Sequence, residues 1–280
     1  MRGEQLTDPV AYHAEGPVWS DRWGGLRWVD MFAGDVLALV DGQVVRRHVA
    51  GLVAALRPRR GGGAVISTER GFALEDPDGS VRHLPDVWNT DAVRMNEGAC
   101  DPDGRYYSGS MAYDCRPGGG TVHRLDPDGS VHLVLPDVTI SNGLDWAPDG
   151  HLAYYSDTAT GRVDVFDYDA AGGLANRRTF VDVGADGLPD GVTVDTEGGV
   201  WVALNQSGTV RRFTPDGRLD EVVELPVRQV TACTLGGTGG DELFITTSRE
   251  GLDPDDEPLA GSLFHVRVGV TGQPTREFAA

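Results

Sequence analysis

Short apolar runs separated by turns rich in Asp, Pro and Gly alternate along the whole chain, and one arrangement of them recurs six times. Each copy is an apolar run, a tight polar turn and a second apolar run. The clearest span Gly98–Ser108, Gly143–Ser156 and Gly191–Val202, and a fourth begins at Gly16. Val53 and Ala232 open two more degenerate copies, so the copies follow one another at steps of 37 to 48 residues. A period of about 40–50 residues with room for four short strands per unit is the signature of a β-propeller. The pattern therefore predicts an all-β chain, a six-bladed β-propeller of four antiparallel strands per blade. Residues 1–280 are read as a single propeller domain.

The turns carry their own chemistry. Asp-Pro-Asp-Gly occurs at 76–79, 101–104 and 126–129, with relatives at 147–150 and 214–217. Pro presets the first central dihedral, Asp bonds its own backbone and Gly takes the positive-φ position. These segments are predicted as hairpin turns. They lack the third oxygen ligand and terminal Glu that a calcium-binding loop needs. Period-two alternation at Val163 and Val165 and at Val210 and Arg212 predicts outer strands, as does Gly261–Val268. The segment Gln5–His13 is expected to add a closing strand to the last blade, leaving no open sheet edge there. Asp114–Gly120 and Gly251–Gly261 break the rhythm and are expected as loops at the channel mouth.

Composition narrows the function classes. Thirty-nine Gly and 16 Pro suit a protein of many strands and tight turns. Hydrophobic residues make up 40%, enough for a core between blades, and no amphipathic stretch exceeds a couple of helical turns. The formal charge is −19, which repels phosphate backbones and argues against nucleic-acid binding. Cys100, Cys115 and Cys233 form no Cys-x-x-Cys pair and no disulfide framework. No signal-peptide apolar region and no membrane-length apolar run is present, so a soluble, cytoplasmic protein without membrane partners is expected.

The residues just ahead of each copy point to a site. They are Glu15, Asn96-Glu97, Ser141-Asn142 and Pro189-Asp190 in four units, but Leu52 and Thr231 in the other two. Equivalent positions in a propeller ring the central axis, so four of six units aim an oxygen-bearing side chain at one point. Glu15, Asn142 and Asp190 supply two carboxylates and a carboxamide, an all-oxygen set for one divalent metal ion. Such a set suits Ca²⁺ first and also Mg²⁺ or Mn²⁺, with Zn²⁺ left open. Arg94, Asn96 and Glu97 face the same opening, where the Arg94 fork suits substrate oxygens. Asp114 is placed at the rim, within reach of the pocket.

The segments Glu15-Gly-Pro-Val-Trp19, Arg94-Met-Asn-Glu-Gly98, Asp101-Pro-Asp-Gly-Arg105, Ser141-Asn-Gly-Leu-Asp-Trp146 and Pro189-Asp-Gly191 occur in this order. Together they resemble the senescence-marker-protein/gluconolactonase/luciferin-regenerating enzyme family, which includes regucalcin. The resemblance runs from about Glu15 to about Phe264. It implies one catalytic divalent metal held by Glu15, Asn142 and Asp190, with Arg94 and Asn96 on the substrate. Many relatives have Asp where this chain has Glu97, and a rim acid, often Glu, falls on Asp114.

The reading that follows is metal-dependent hydrolysis of a sugar-acid lactone to the open hydroxy acid, with a small-molecule sugar lactone as partner. In this reading Asp190 is both ligand and general base. No Gly-x-Ser-x-Gly elbow or His-Glu-x-x-His pair is present, and no His falls in the ring. Two rivals stand beside it. One is a metal-dependent esterase of another kind, phosphotriesters included. The other is a non-enzymatic calcium-binding regulator or protein-binding propeller, neither of which needs Arg94 or Asn96. The expected assembly is a monomer or weak homo-oligomer.

Overall fold

A computed structural model describes residues 1–253 and 255–280; Pro254, within the loop expected over 251–261, lies outside the described residues. The five predicted turns close as hairpins. The N–H groups of Gly79, Gly104, Gly129, Gly150 and Gly217 bond back to the carbonyls of Asp76, Asp101, Asp126, Ala147 and Thr214 at 2.8–3.0 Å. All five glycines have φ between 74° and 89°, the region an L side chain resists.

The strands assemble into six four-stranded antiparallel sheets, each a meander. The innermost strands of blades 1 to 6 are Ala14–Ser20, Val53–Pro58, Val93–Cys100, Ser141–Trp146, Leu188–Val194 and Val230–Gly236. The ring is closed by a short strand, Glu4–Gln5, that pairs with Phe264–Arg267 as the outermost strand of blade 6. That is shorter than the Gln5–His13 strand read from sequence. Beyond Gln5 the chain still follows blade 6, with Leu6 bonding Leu263 O at 2.8 Å and Ala11 bonding Gly261 O at 3.2 Å.

The core lies between blades. Trp28, Trp146 and Trp201 are fully buried, and the Tyr107 ring of blade 3 meets Trp146 of blade 4 edge-on with centroids 5.5 Å apart. Cys100 and Cys233 are buried apolar fillers, whereas Cys115 is exposed. Burying a side chain of this size contributes about 1.5–3 kcal/mol, and each blade contributes to two such interfaces. Among the described residues no helix is long and apolar enough to cross a membrane.

The last residues cross the face where the inner strands end. Gly272 bridges to Asp195, and Gln273 Nε2 donates to Trp146 O and Val194 O, both at 2.9 Å. Phe278 then buries its ring among blades 2 and 3, with its N–H on Pro58 O at 2.8 Å. This tail lies across one end of the axial channel. The strand starts, with the candidate site, surround the other.

Candidate metal centre at the head of the inner strands

All six inner strands lose register with their neighbour at one equivalent place. The shifts fall between Glu15 and Val18, Val53 and Ala55, Met95 and Gly98, Ser141 and Leu144, Pro189 and Val192, and Val230 and Ala232. A bulge inserts an unpaired residue and turns its side chain out of the sheet's alternation. Here it releases Asn96-Glu97, Asn142 and Asp190 from ladder positions in three blades, while Glu15 stays paired with Val29 at the edge of the blade 1 bulge.

The glycines after Asn142 and Asp190 have a packing cause. A Cβ on Gly143 would lie 2.3 Å from Val192 N, and one on Gly191 would lie 2.5 Å from Ala232 Cβ. Only glycine lets neighbouring inner strands approach this closely around the axis. In blades 4 and 5 the Asn-Gly and Asp-Gly pairs are thus bulges with close inter-blade contact, whereas Gly16 is set by its φ of 51° and Gly98 by Tyr106 of its own blade.

Glu15, Asn96, Glu97, Asn142 and Asp190 are all buried. Asp190 Oδ2 accepts from Asn205 Nδ2 at 3.1 Å, while its Oδ1 is buried with no hydrogen-bond partner. Burial and the Glu97 charge push its carboxyl up to about 8, against the opposing effects of Asn205 and Arg94. Glu15 is held well above the usual carboxylate range by burial, then by the charges of Asp190 and Glu97. Its Oε2 accepts the Gly16 N–H at 3.0 Å. Glu97 is raised as well, chiefly by burial, with Arg57 and the Gly98 N–H opposing. Three buried carboxylates therefore repel one another, and a cation among them would take the place of their protons.

Asn142 donates from Nδ2 to Thr158 Oγ1 at 2.7 Å, and Thr158 in turn donates to Pro189 O at 2.8 Å. That chain fixes the amide so that Oδ1 is the atom left to the site. Asn96 donates to this Oδ1 at 3.0 Å and to Ser141 O at 2.8 Å, spending both its amide hydrogens. Its own Oδ1 accepts from Arg94 Nη1 at 2.5 Å. Arg94 is buried without a carboxylate partner within 4 Å among the described residues, and its guanidinium lies 5.3 Å from the Phe32 ring centroid and 5.9 Å from that of Tyr113.

Asp114 stands apart from this group. It is 64% exposed, bonds Arg116 at 3.0 Å and makes no hydrogen bond to any residue named above. Its neighbour Tyr113 reaches the pocket instead, packing on Arg94 and donating to Glu69 Oε1 at 2.7 Å.

Several neighbours escaped the sequence reading. His13 packs on Phe32 with centroids 5.1 Å apart and lies with Nε2 3.9 Å from Glu15 Oε1. Burial, then Arg94, pushes it down to about 3, so it is neutral. Ser248 Oγ at 2.7 Å and Glu250 at 3.4 Å both meet the same His13 nitrogen, Nδ1. A catalytic triad needs them on opposite nitrogens. Thr158, Asn205 and Phe32 come from loops or second strands, where no repeat position marks them. His13 alone carried a signal, since it precedes Glu15 by two and so shares its side of the strand.

Among the described residues no three His, Cys, Asp or Glu side chains form a metal cluster on their own. The candidate set works only with the Asn142 carboxamide. The unpartnered Asp190 Oδ1, the mutual repulsion of the carboxylates and the all-oxygen donors together fit a hard divalent cation.

Comparison with known proteins agrees with this architecture. Residues 13–249 match the family described as SMP-30/Gluconolactonase/LRE-like region. Regucalcin of Danio rerio is 36% identical over 272 residues, covering 93% of this chain and 92% of its own. The structure described as a calcium-binding protein, regucalcin, from Agrobacterium tumefaciens superposes with a TM-score of 0.93 at 25% identity, covering 99% and 97%. A gluconolactonase from Xanthomonas campestris superposes with a TM-score of 0.76 at 26% identity, covering 94% of this chain and 88% of that one.

Proposed function

This chain belongs to the SMP-30/gluconolactonase/LRE-like family, and from that premise we propose that it hydrolyses a sugar-acid lactone to the open hydroxy acid. The observation that carries the reading is the Asp190 carboxylate, one oxygen tied to Asn205 and the other buried without a partner. The family and its gluconolactonase neighbour support a lactonase-like activity.

Glu15, Asn142 and Asp190 would hold the cation. A bound divalent ion supplies Lewis-acid polarisation of the lactone carbonyl and a more acidic water. Asp190 takes a proton from the attacking water at Oδ1, the oxygen that no protein donor occupies. Asn205, donating to Oδ2, keeps the carboxylate turned that way. Arg94 presents its fork to the ring hydroxyls and carbonyl, which a point charge could not orient as well. Phe32 and Tyr113 present their rings to the guanidinium and help hold it in place. Asn96 acts by holding Arg94 and Asn142 in register, since its amide hydrogens are already committed.

A second reading, calcium binding without turnover, draws on the Agrobacterium relative described as calcium-binding. One experiment separates the two. Chelated protein is re-supplied with Ca²⁺, Mg²⁺, Mn²⁺ or Zn²⁺ and assayed by pH-stat against aldonolactones, aryl esters and phosphotriesters. Metal-dependent release of acid from aldonolactones supports the proposal, and turnover only of aryl esters or phosphotriesters replaces it with another hydrolase. Cation binding without turnover leaves the calcium-binding reading.

A further inference from the structure

Below the carboxylates lies a cavity of about 80 Å³, partly open to solvent and lined on one side by the tail segment Gly272–Arg276. Two arginines line it, Arg57 from the inner strand of blade 2 and Arg276 from the tail. Among the described residues neither has a carboxylate within hydrogen-bonding distance. Arg57 donates from Nη1 to Leu56 O at 2.7 Å, and its nearest acid, Glu97, is 3.7 Å away. Arg276 uses Nη2 alone, on Ala147 O at 3.0 Å and Gln273 Oε1 at 3.1 Å, with Trp146 O at 3.4 Å. The remaining guanidinium donors have no protein acceptor.

The one acid lining this cavity, Asp145, is held elsewhere. Its two oxygens accept the N–H groups of Trp146 and Val194, both at 2.8 Å. Both arginines act on it only through space. Most arginines of this acidic protein pair closely with an Asp or Glu, as Arg105 does with Asp101 at 2.6 Å. Two that line one cavity with unspent donors suit negative oxygen, because a guanidinium bonds a charged acceptor more strongly than it bonds water. Thr234 adds a hydroxyl to the same wall, whereas those of Thr193 and Thr275 already donate to Asp145 Oδ2 and Trp19 O.

We propose that this lower cavity is a binding site for a small oxyanion, a carboxylate or phosphate group clasped between Arg57 and Arg276. The site is separate from the lactonase reading and stands without it. Because Arg276 belongs to the tail, the anion would also hold the tail against the channel end.

The test uses the metal-loaded protein titrated with inorganic phosphate, sodium gluconate and sodium chloride at matched ionic strength. Binding is followed by calorimetry and melting temperature. Phosphate or gluconate should bind saturably and raise Tm by about 2–4 °C at ten times the half-saturating concentration. Chloride should not. Whichever of the two binds more tightly identifies the source of the oxyanion. Arg276→Gln should abolish the saturable part, while Arg276→Lys should keep a weakened form of it. Arg94→Ala should leave it intact. Equal shifts with chloride, equal shifts in Arg276→Gln, or a loss confined to Arg94→Ala would each overturn the proposal.

Discussion

Asn96 Nδ2 donates to Asn142 Oδ1 at 3.0 Å, joining a residue of blade 3 to a candidate metal ligand of blade 4. The same side chain accepts from Arg94 at 2.5 Å. Arg94, proposed to face the substrate, and the Asn142 amide, proposed to face the metal, are therefore positioned by one intermediary. A fault there should disturb both halves of the site together.

Asn96→Ala is expected to raise KM for the lactone and weaken cation affinity in the same protein. Each lost hydrogen bond costs about 0.5–1.5 kcal/mol, or roughly 2- to 10-fold. Calorimetry with the cation and steady-state kinetics check the two effects separately. A rise in KM with unchanged cation affinity would remove Asn142 from the linkage.

Arg94→Ala should act differently, raising KM strongly while cation content stays near one equivalent. Arg94→Lys should remain impaired, since an ammonium cannot reproduce a planar fork set between two rings. Metal analysis beside the kinetics decides it. Cation loss in step with activity would make Arg94 a support for the ligands.

Asp190→Asn keeps an oxygen for the cation and nearly the same volume but cannot take a proton at neutral pH. A positioned general base is worth roughly 10²–10⁴ in rate, so kcat should fall at least 100-fold with cation still bound. Retention of more than about a tenth of kcat would leave Asp190 as a ligand only.

Chelated protein should melt at progressively lower temperature as pH rises from about 4 to about 8. Asp190 and Glu15 have folded pKa values above their unfolded ones, so in this window the folded chain binds more protons than the unfolded chain. Stability then falls with rising pH. A saturating divalent cation should flatten that dependence by neutralising the carboxylates directly. Melting curves across pH with and without chelator measure it, and a flat profile in the chelated protein would contradict the buried-carboxylate picture.

The propeller and the ring of polar residues were legible because both depend on repetition. Glu15, Asn142 and Asp190 share a blade position, and the glycines after Asn142 and Asp190 were visible as a motif before their cause was. That cause, a bulge whose next residue touches the neighbouring blade, involves Val192 and Ala232, which no local pattern links to Gly143 and Gly191. Loop geometry was the blind spot. Asp114 and Tyr113 are adjacent and both suit a pocket rim by chemistry. The turn pairs Asp114 with Arg116 and lays Tyr113 on Arg94. The tail was invisible for another reason, since it forms no strand of the repeat and docks through single contacts such as Gln273 on Val194.

The pairing of Gln5 with Phe264 has a consequence for biosynthesis. Blade 6 takes its outermost strand from a segment translated before the other five blades and its other three from segments translated after them. The ring cannot close until the strands of blade 6 have emerged, and the closure joins residues about 260 positions apart, an entropically slow step. During that interval the inter-blade faces that later bury Trp28 and Trp201 are exposed to water. Slow translation or a stalled chain would therefore present an open, sticky arc of blades, and production of this protein should depend on chaperone capacity more than its final stability suggests.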